Sequence, residues 1–168
     1  MKTIYLAGPL FTEYEQKQRE YEARKIREVI KNTDYVLFSP LEAPINGDDN
    51  DSQKGSQRVQ PTMDVIFEKD AKAIDSSKVF FFDLSNSDIG TITELGMVLG
   101  RLRNGEDLLV YPVESDFRVM ANSRLGFEST IGFNSFTYGG LAKYNKKIFT
   151  SFDEALNQFK KDINNENS

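Results

Sequence analysis

The stretch that decides the fold runs from Val79 to Gly100 and reads VFFFDLSNSDIGTITELGMVLG. It opens with the continuous apolar run Val79–Phe82, and a short run without polar alternation is typical of a strand buried on both faces. A polar turn, Ser85–Asp88, follows the run. The segment Thr91–Glu94 then matches the S/T-x-x-E capping box that begins many helices. The stretch therefore predicts a strand, a loop and a helix.

Two carboxylates, those of Asp88 and Glu94, stand at the loop and at the first predicted helical turn, with Gly90 between them. In a parallel sheet this point is the carboxyl end of a strand, where open α/β proteins place their sites. Both acids also have a purely structural interpretation, since an Asp before a helix often bonds the backbone and a capping-box Glu bonds back to the N-cap. Alternatively, Glu94 is a nucleophile whose ionised form the helix dipole favours. Gly90 serves either the turn or the close approach of a ligand.

The rest of the chain repeats the alternation of strand and helix. Further strands are predicted at Thr3–Ala7, Tyr35–Phe38, Leu108–Tyr111 and, as a short fifth strand, Lys147–Phe149. Further helices are predicted at Tyr14–Asn32, at Pro61–Ser76 and after a second capping box at Ser151–Glu154. This order predicts an α/β protein, a doubly wound parallel sheet of about five strands with helices on both faces. We expect a single domain over residues 1–163 and a frayed tail at 164–168, and the polar loop 41–60 is either disordered or a lid.

Composition narrows the classes of function. The 168 residues carry a net charge of −5, and the isoelectric point near 4.9 argues against a nucleic-acid polymer or an acidic membrane as partner. Because the N-terminus enters a strand directly and does not resemble a signal peptide, we expect a cytoplasmic protein. The chain contains no His and no Cys, which excludes Ser-His-Asp triads, Cys nucleophiles and Cys/His zinc sites. Carboxylate chemistry is the leading option, since 26 residues are acidic.

Other candidate side chains have an ordinary structural explanation as well. Asp70 lies on the helix before the central strand, where a solvated helix face would account for it. Asp83 ends the apolar run and either caps a loop or belongs to the site. Tyr5 and Phe11 flank the first turn, where aromatic rings are usually part of the core but can also stack on a planar ligand.

Taken together, three segments resemble the nucleoside 2-deoxyribosyltransferase family. They are the opening YLAGPLF at Tyr5–Phe11, Asp70 before the strand, and the pattern D-x-G-x-x-x-E-L-G from Asp88 to Gly96. The resemblance covers roughly Thr3 to Tyr111. It implies a flavodoxin-like fold and transfer of a 2-deoxyribosyl group from a deoxynucleoside to a free nucleobase, in nucleotide salvage and without a cofactor or a metal.

The resemblance also implies roles for individual residues. Glu94 matches the nucleophile, and Asp70 and Asp88 match carboxylates that contact the base and help to protonate the leaving group. Tyr5 matches an aromatic residue that orients the nucleophile, and Phe11 one that lines the base pocket. Gly8 and Gly90 fall at the corresponding substrate-binding turns.

In this family an Asn-x-Met segment from a neighbouring subunit completes the site, which implies a homo-oligomer. The best match is Asn134-Ser135-Phe136, with Phe in place of Met, and Asn122 is the rival. A related branch hydrolyses deoxynucleoside 5′-monophosphates, but the apolar turn Pro9–Phe11 is poorly suited to a dianion and favours the transferase. The non-enzymatic alternative is a flavodoxin-like nucleotide-binding module, against which the set Asp70, Asp88 and Glu94 argues.

Overall fold

The structure is a computed structural model that describes residues 1–43, 62–116, 134–144 and 146–166. Strands and helices alternate along the chain, as the sequence pattern predicts. The elements are β1 (Lys2–Ala7), α1 (Glu13–Ile30), β2 (Tyr35–Phe38), α2 (Met63–Ser76), β3 (Ser77–Asp83), α3 (Ile89–Arg103), β4 (Leu109–Val113), α4 (Ser135–Lys143) and α5 (Phe152–Glu166).

The four strands form one parallel sheet in the order β2-β1-β3-β4. Because β1 lies between β2 and β3, the chain winds first to one side of β1 and then to the other. The carboxyl ends of β1 and β3 therefore form the topological switch point, where open α/β sheets bind their ligands. The predicted flavodoxin-like α/β fold is confirmed.

The alternation of side chains along each strand divides the core into two layers. Ile4 and Phe81 face the layer that contains α1 and α5. Tyr5, Phe80 and Phe82 face the opposite layer, which contains α2, α3 and α4. Because side chains alternate between the two faces of a strand, the ring of Tyr5 points toward the layer that contains α3, the helix that carries Glu94.

The predicted fifth strand, Lys147–Phe149, is reduced to a single parallel bridge between Val113 and Phe149. The chain leaves the sheet at this point because Thr150 already donates its backbone N–H to the carboxylate of Glu154, in the first turn of α5. In the described residues the sheet therefore has four strands and one additional bridge.

The helix ends follow local chemistry. The helix α3 ends at Arg103, where Asn104 is the C-cap and Gly105 adopts a φ of +87° that suits glycine. Pro61, Asn122 and residues 44–60 of the predicted loop lie outside the described residues. Within the described ranges, none of the helices combines the length and the apolar character needed to cross a bilayer.

Candidate active site

The centre of the site is a hydrogen bond between a strand and a helix. Tyr5 is fully buried on β1, where its ring stacks on Phe38 at a centroid distance of 5.4 Å and packs against Phe80 at 6.3 Å. Its hydroxyl donates a 2.7 Å hydrogen bond to Oε1 of Glu94 on α3. The two rings leave the phenol little freedom, so the hydroxyl holds the carboxylate in one position.

The start of α3 corrects the predicted capping box. The helix begins at Ile89, and Asp88 is its N-cap, with Oδ2 accepting from the backbone N–H of Thr91 at 2.8 Å and from its hydroxyl at 2.9 Å. The prediction that Thr91 and Glu94 form a capping box is wrong, because Asp88 engages Thr91 and the carboxylate of Glu94 bonds Tyr5. Glu94 is thereby free of a local backbone role.

The turn before α3 is tight. Ser87 adopts a φ of +49°, in the left-handed region that few residues other than glycine occupy. A Cβ on Gly90 would lie 3.1 Å from Oδ2 of Asp88. The glycine therefore leaves room for the capping carboxylate, which favours the turn interpretation of Gly90.

Burial makes Glu94 and Asp70 harder to ionise. Burial raises the pKa of Glu94 to about 7; the Tyr5 hydrogen bond opposes this rise, and the charges of Asp70 and Asp88 add to it. Burial also raises the pKa of Tyr5, with a further contribution from Glu94, so the phenol remains a hydrogen-bond donor. At physiological pH, a carboxylate whose pKa lies near neutrality can ionise to act as a nucleophile and can later act as a leaving group.

Asp70 enters the site from α2, the neighbouring helix in the same layer. Its side chain is partly buried, and its Oδ1 atom is buried with no hydrogen-bond partner among the described residues. Burial raises its pKa, which the positive charge of Lys69 opposes. The solvated helix face that could have explained Asp70 does not describe this environment, because a buried oxygen without a partner is uncommon in a folded protein and is typical of functional sites.

Gly8 follows β1 and lies against a buried arginine that the sequence analysis missed. Arg19 on α1 donates to the carbonyl of Ala7 at 3.2 Å, to Glu22 at 3.0 Å and to Oδ2 of Asp83 at 2.5 Å. A Cβ on Gly8 would lie only 1.6 Å from Nη1 of Arg19. The available signal was helical spacing, because Arg19, Ala23 and Ile26 lie on one face of α1, but the charged surroundings suggested a solvated face.

Among the described residues, Phe11 and Asn134 make their hydrogen bonds to other partners than the three carboxylates. The ring of Phe11 is 77% exposed, and its backbone N–H donates to Glu15. Asn134 is the N-cap of α4, where its Oδ1 accepts from the N–H groups of Phe136 at 2.9 Å and Thr137 at 3.4 Å.

The described residues form two large cavities, of which only one is lined by a predicted site residue. Asn134 lines a cavity of about 420 Å³ together with Ile89, Ile92 and Thr93 of α3. At 100° per residue, these three positions share a face of α3 that points away from Glu94. A larger groove of about 570 Å³ lies between α1 and α5, on the opposite side of the sheet from Tyr5, and is therefore separate from the carboxylates.

Fold and geometry together define an α/β protein with a cluster of carboxylates at the switch point of its sheet. The family model of nucleoside 2-deoxyribosyltransferases matches residues 4–164. The chain therefore belongs to the nucleoside 2-deoxyribosyltransferase family, as the resemblance of its motifs predicted. It is also 31% identical over 159 residues to an uncharacterized protein of Ureaplasma parvum serovar 3, with 92% of this chain and 91% of that protein covered.

Solved structures support the same fold. A conserved protein from Enterococcus faecalis V583 superposes with a TM-score of 0.64 at 22% identity, covering 96% of this chain and 98% of that one. A 2-deoxyribosyltransferase from Leishmania mexicana superposes with a TM-score of 0.55 at 21% identity, again covering 96% and 98%. At these identities the likeness establishes the architecture.

Proposed function

We propose that the chain transfers the 2-deoxyribosyl group of a 2′-deoxynucleoside to a free nucleobase through a covalent intermediate on Glu94. The observation that carries the proposal is the hydrogen bond from Tyr5 to Glu94 at the switch point of the sheet. It holds one carboxylate in a fixed orientation, as a nucleophile requires. Membership of the family supplies the class of substrate.

In the first step, a carboxylate oxygen of Glu94 forms a bond to the anomeric carbon while the bond from that carbon to the base nitrogen breaks. The base leaves with the bonding electron pair and takes a proton from a neighbouring carboxylic acid. In the second step, a nitrogen of the acceptor base attacks the same carbon and its proton returns to the acid, while Glu94 leaves as a carboxylate. Two inversions give overall retention, as in retaining glycosidases.

Asp70 suits the role of proton donor and acceptor. Its pKa is raised by burial, which favours the protonated form that the leaving base needs. Asp88 makes its hydrogen bonds within the described residues through Oδ2, so its Oδ1 remains available to the base. Asp88 thus combines capping of α3 with a proposed contact to substrate.

A second copy of the chain would supply Asn134. Within one protomer Asn134 lines a cavity on the face of α3 that points away from Glu94, which favours the Asn134 of a neighbouring subunit as the one that serves this Glu94. Phe136, beside Asn134, is 87% exposed, and Met63 and Phe67 on α2 are 89% and 56% exposed. Large apolar side chains that face solvent mark surfaces for association, which supports a homo-oligomer whose sites are completed across subunits.

The test is a chromatographic assay with a deoxynucleoside donor, run with and without a second free base. A new deoxynucleoside that forms only with the acceptor would establish transfer. Free base and free deoxyribose without a new nucleoside would instead indicate a hydrolase, and the 5′-monophosphate would be the next substrate. If neither reaction occurs with any base tested, the proposal fails and a binding module becomes the better interpretation.

A further inference from the structure

We propose that Arg19 is a positioning residue. Its guanidinium joins the carboxyl ends of β1 and β3 and thereby fixes the two turns that follow these strands, which are close in sequence to Tyr5 and to the start of the helix that carries Glu94. The effect on turnover rests on the proposed transferase function. The effect on the order of the turns does not, and can be measured separately.

The tie consists of hydrogen bonds from one buried side chain to two strands. Arg19 is 2% exposed. Its Nη1 donates to the carbonyl of Ala7, the last residue of β1, and its Nη2 donates to Asp83, the last residue of β3. The side chain of Arg19 therefore extends from α1 to the switch point and joins the two strands where their turns begin.

The second oxygen of Asp83 extends the tie into the loop before α3. Oδ1 accepts from the backbone N–H of Ser85 at 3.1 Å, while Oδ2 accepts from Arg19. Ser85 stands three residues before Asp88, the N-cap of the helix that carries Glu94. On the other strand, Ala7 stands two residues after Tyr5. Each end of the tie is therefore close in sequence to one partner of the Tyr5–Glu94 hydrogen bond.

Gly8 allows the guanidinium to lie where it does. A Cβ at this position would be 1.6 Å from Nη1 and 2.6 Å from Cζ of Arg19. Contacts below 3.0 Å force the neighbour to move, and here the neighbour is held by three acceptors. The absence of a side chain at Gly8 is therefore explained by the packing of Arg19.

Glu22 provides an internal control, because it binds the same guanidinium without joining the two strands. It lies on α1 itself, three residues after Arg19, and its Oε1 accepts from both Gln18 and Arg19. Both carboxylates compensate the same buried charge, but only Asp83 belongs to the sheet. A role limited to charge compensation would treat Glu22 and Asp83 alike.

The experiment compares Asp83→Asn with Glu22→Gln and wild type. Asparagine has one acceptor oxygen and cannot serve both Arg19 and Ser85, whereas glutamine at position 22 keeps the acceptor that Arg19 uses. Thermal unfolding, kcat and KM for transfer, and amide hydrogen exchange of residues 84–88 are measured on all three proteins. Substituting Arg19 itself is the poorer choice, since it would leave the buried carboxylate of Glu22 and the partly buried carboxylate of Asp83 without their cation.

We expect Asp83→Asn to lower kcat by about ten- to hundredfold with a smaller change in KM, because Asp83 itself has no proposed contact with the substrate and acts through the position of the nucleophile. Exchange of the amides in residues 84–88 should accelerate in this variant. Glu22→Gln should retain wild-type kcat and wild-type exchange, whatever its thermal stability.

Equal kcat values for Asp83→Asn and wild type would overturn the inference, as would equal exchange in the two variants. If wild-type protein catalyses no transfer, the proposed function fails, and the exchange comparison alone then decides whether Arg19 orders the turns. A loss of stability that is the same in both variants, with kcat and exchange unchanged, would reduce the cluster to a structural ion pair.

Discussion

The phenol of Tyr5 donates a 2.7 Å hydrogen bond to the carboxylate of Glu94, although 89 positions separate the two residues in the chain. The parallel pairing of β1 with β3 brings them together, because it sets the end of β1 beside the loop that leads into α3. The same bond stabilises the ionised form of Glu94 against the burial that raises its pKa. The consequences can be measured.

Replacing Tyr5 with Phe should move the acidic limb of the pH–rate profile. The ring keeps its stacking on Phe38, but Glu94 loses the bond that favours its ionised form. Since the proposed nucleophile must be ionised, wild-type kcat/KM should fall as the pH drops through about 7. In the variant this fall should occur at higher pH. Tyr14→Phe, at a residue 77% exposed, is the control, and a limb that stays at the wild-type pH would refute the assignment.

Replacing Glu94 with Gln should abolish transfer and leave the fold intact. The amide has nearly the same shape and can still accept from Tyr5, but it is not a nucleophile. We expect kcat to fall by about three orders of magnitude or more. The melting temperature should not fall, because a partly buried carboxylate is removed rather than a core contact. Near wild-type turnover by the variant would eliminate the covalent mechanism.

Asp88 can be tested with two substitutions that separate capping from chemistry. Asp88→Asn retains an oxygen that can accept from the N–H of Thr91, so stability should change little. Asp88→Ala removes the cap and should cost about 1 kcal/mol of unfolding free energy. We expect both variants to lose turnover. If Asp88→Asn has wild-type kcat while only Asp88→Ala is destabilised, Asp88 is a cap and nothing more.

Stability should fall between about pH 4.5 and 7 because two glutamates have raised pKa values. Burial raises the pKa of both Glu22 and Glu94 from 4.5 to about 7 in the folded protein. The folded state therefore binds protons more readily than the unfolded state in this window. Each group's contribution to the free energy of unfolding is fully present below its pKa in the unfolded chain and is lost as the pH rises through its pKa in the folded protein. In this window the free energy of unfolding should fall by up to about 1.4 kcal/mol per pH unit for each group.

Urea unfolding in steps across this window measures the slope. Glu22→Gln should flatten it, whereas Glu28→Gln, at an exposed position of the same helix, should not. Glu106 affects stability in a different pH range. Hydrogen bonds from Arg101 and Lys78 lower its pKa to about 2, so its contribution to stability is lost only in more acidic solution. An unchanged slope in Glu22→Gln would contradict the prediction.

Mixing two inactive variants should restore transfer if sites are completed across subunits. Asn134→Ala keeps Glu94, and Glu94→Gln keeps Asn134, so a mixed pair contains one intact site. After dissociation and reassociation of equal amounts of two-fold dimers, about one quarter of the sites should be active. Light scattering establishes the size of the assembly, and the unmixed variants are the controls. Activity that never rises above that of the unmixed variants would place all groups of the site within one protomer.

Sequence reasoning succeeded where the physical signal is local. Continuous apolar runs predicted the strands of the sheet. The capping-box pattern shows the limit of such signals. Both hydrogen bonds of the box form at Thr12 and Glu15. At Ser151 the side chain accepts from the backbone N–H of Glu154, but the carboxylate of Glu154 accepts from Thr150. At Thr91 the box does not form, because the backbone N–H of Thr91 donates to Asp88. A four-residue pattern does not record which neighbour competes for its donor.

The buried arginine shows a second limit. Arg19 lies in a run of charged residues, and the local pattern suggests a helix face in water. Its burial depends on acceptors from two strands, including Asp83, which is 64 positions away. Only the packing of α1 on the sheet brings a cation and that carboxylate together, and Gly8 makes the space for it.

By itself, the sequence determined the alternation of strands and helices, the parallel sheet, the family and the exclusion of His and Cys chemistry, because periodicity, turn residues and the absence of His and Cys are properties of the linear chain. Only the tertiary structure decided that Tyr5 binds Glu94, that Asp88 caps α3 and that Arg19 joins two strand ends. The physical reason is that a polar group chooses its partner by distance and competition after folding. Strand register and helix packing set those distances between residues that the chain keeps far apart.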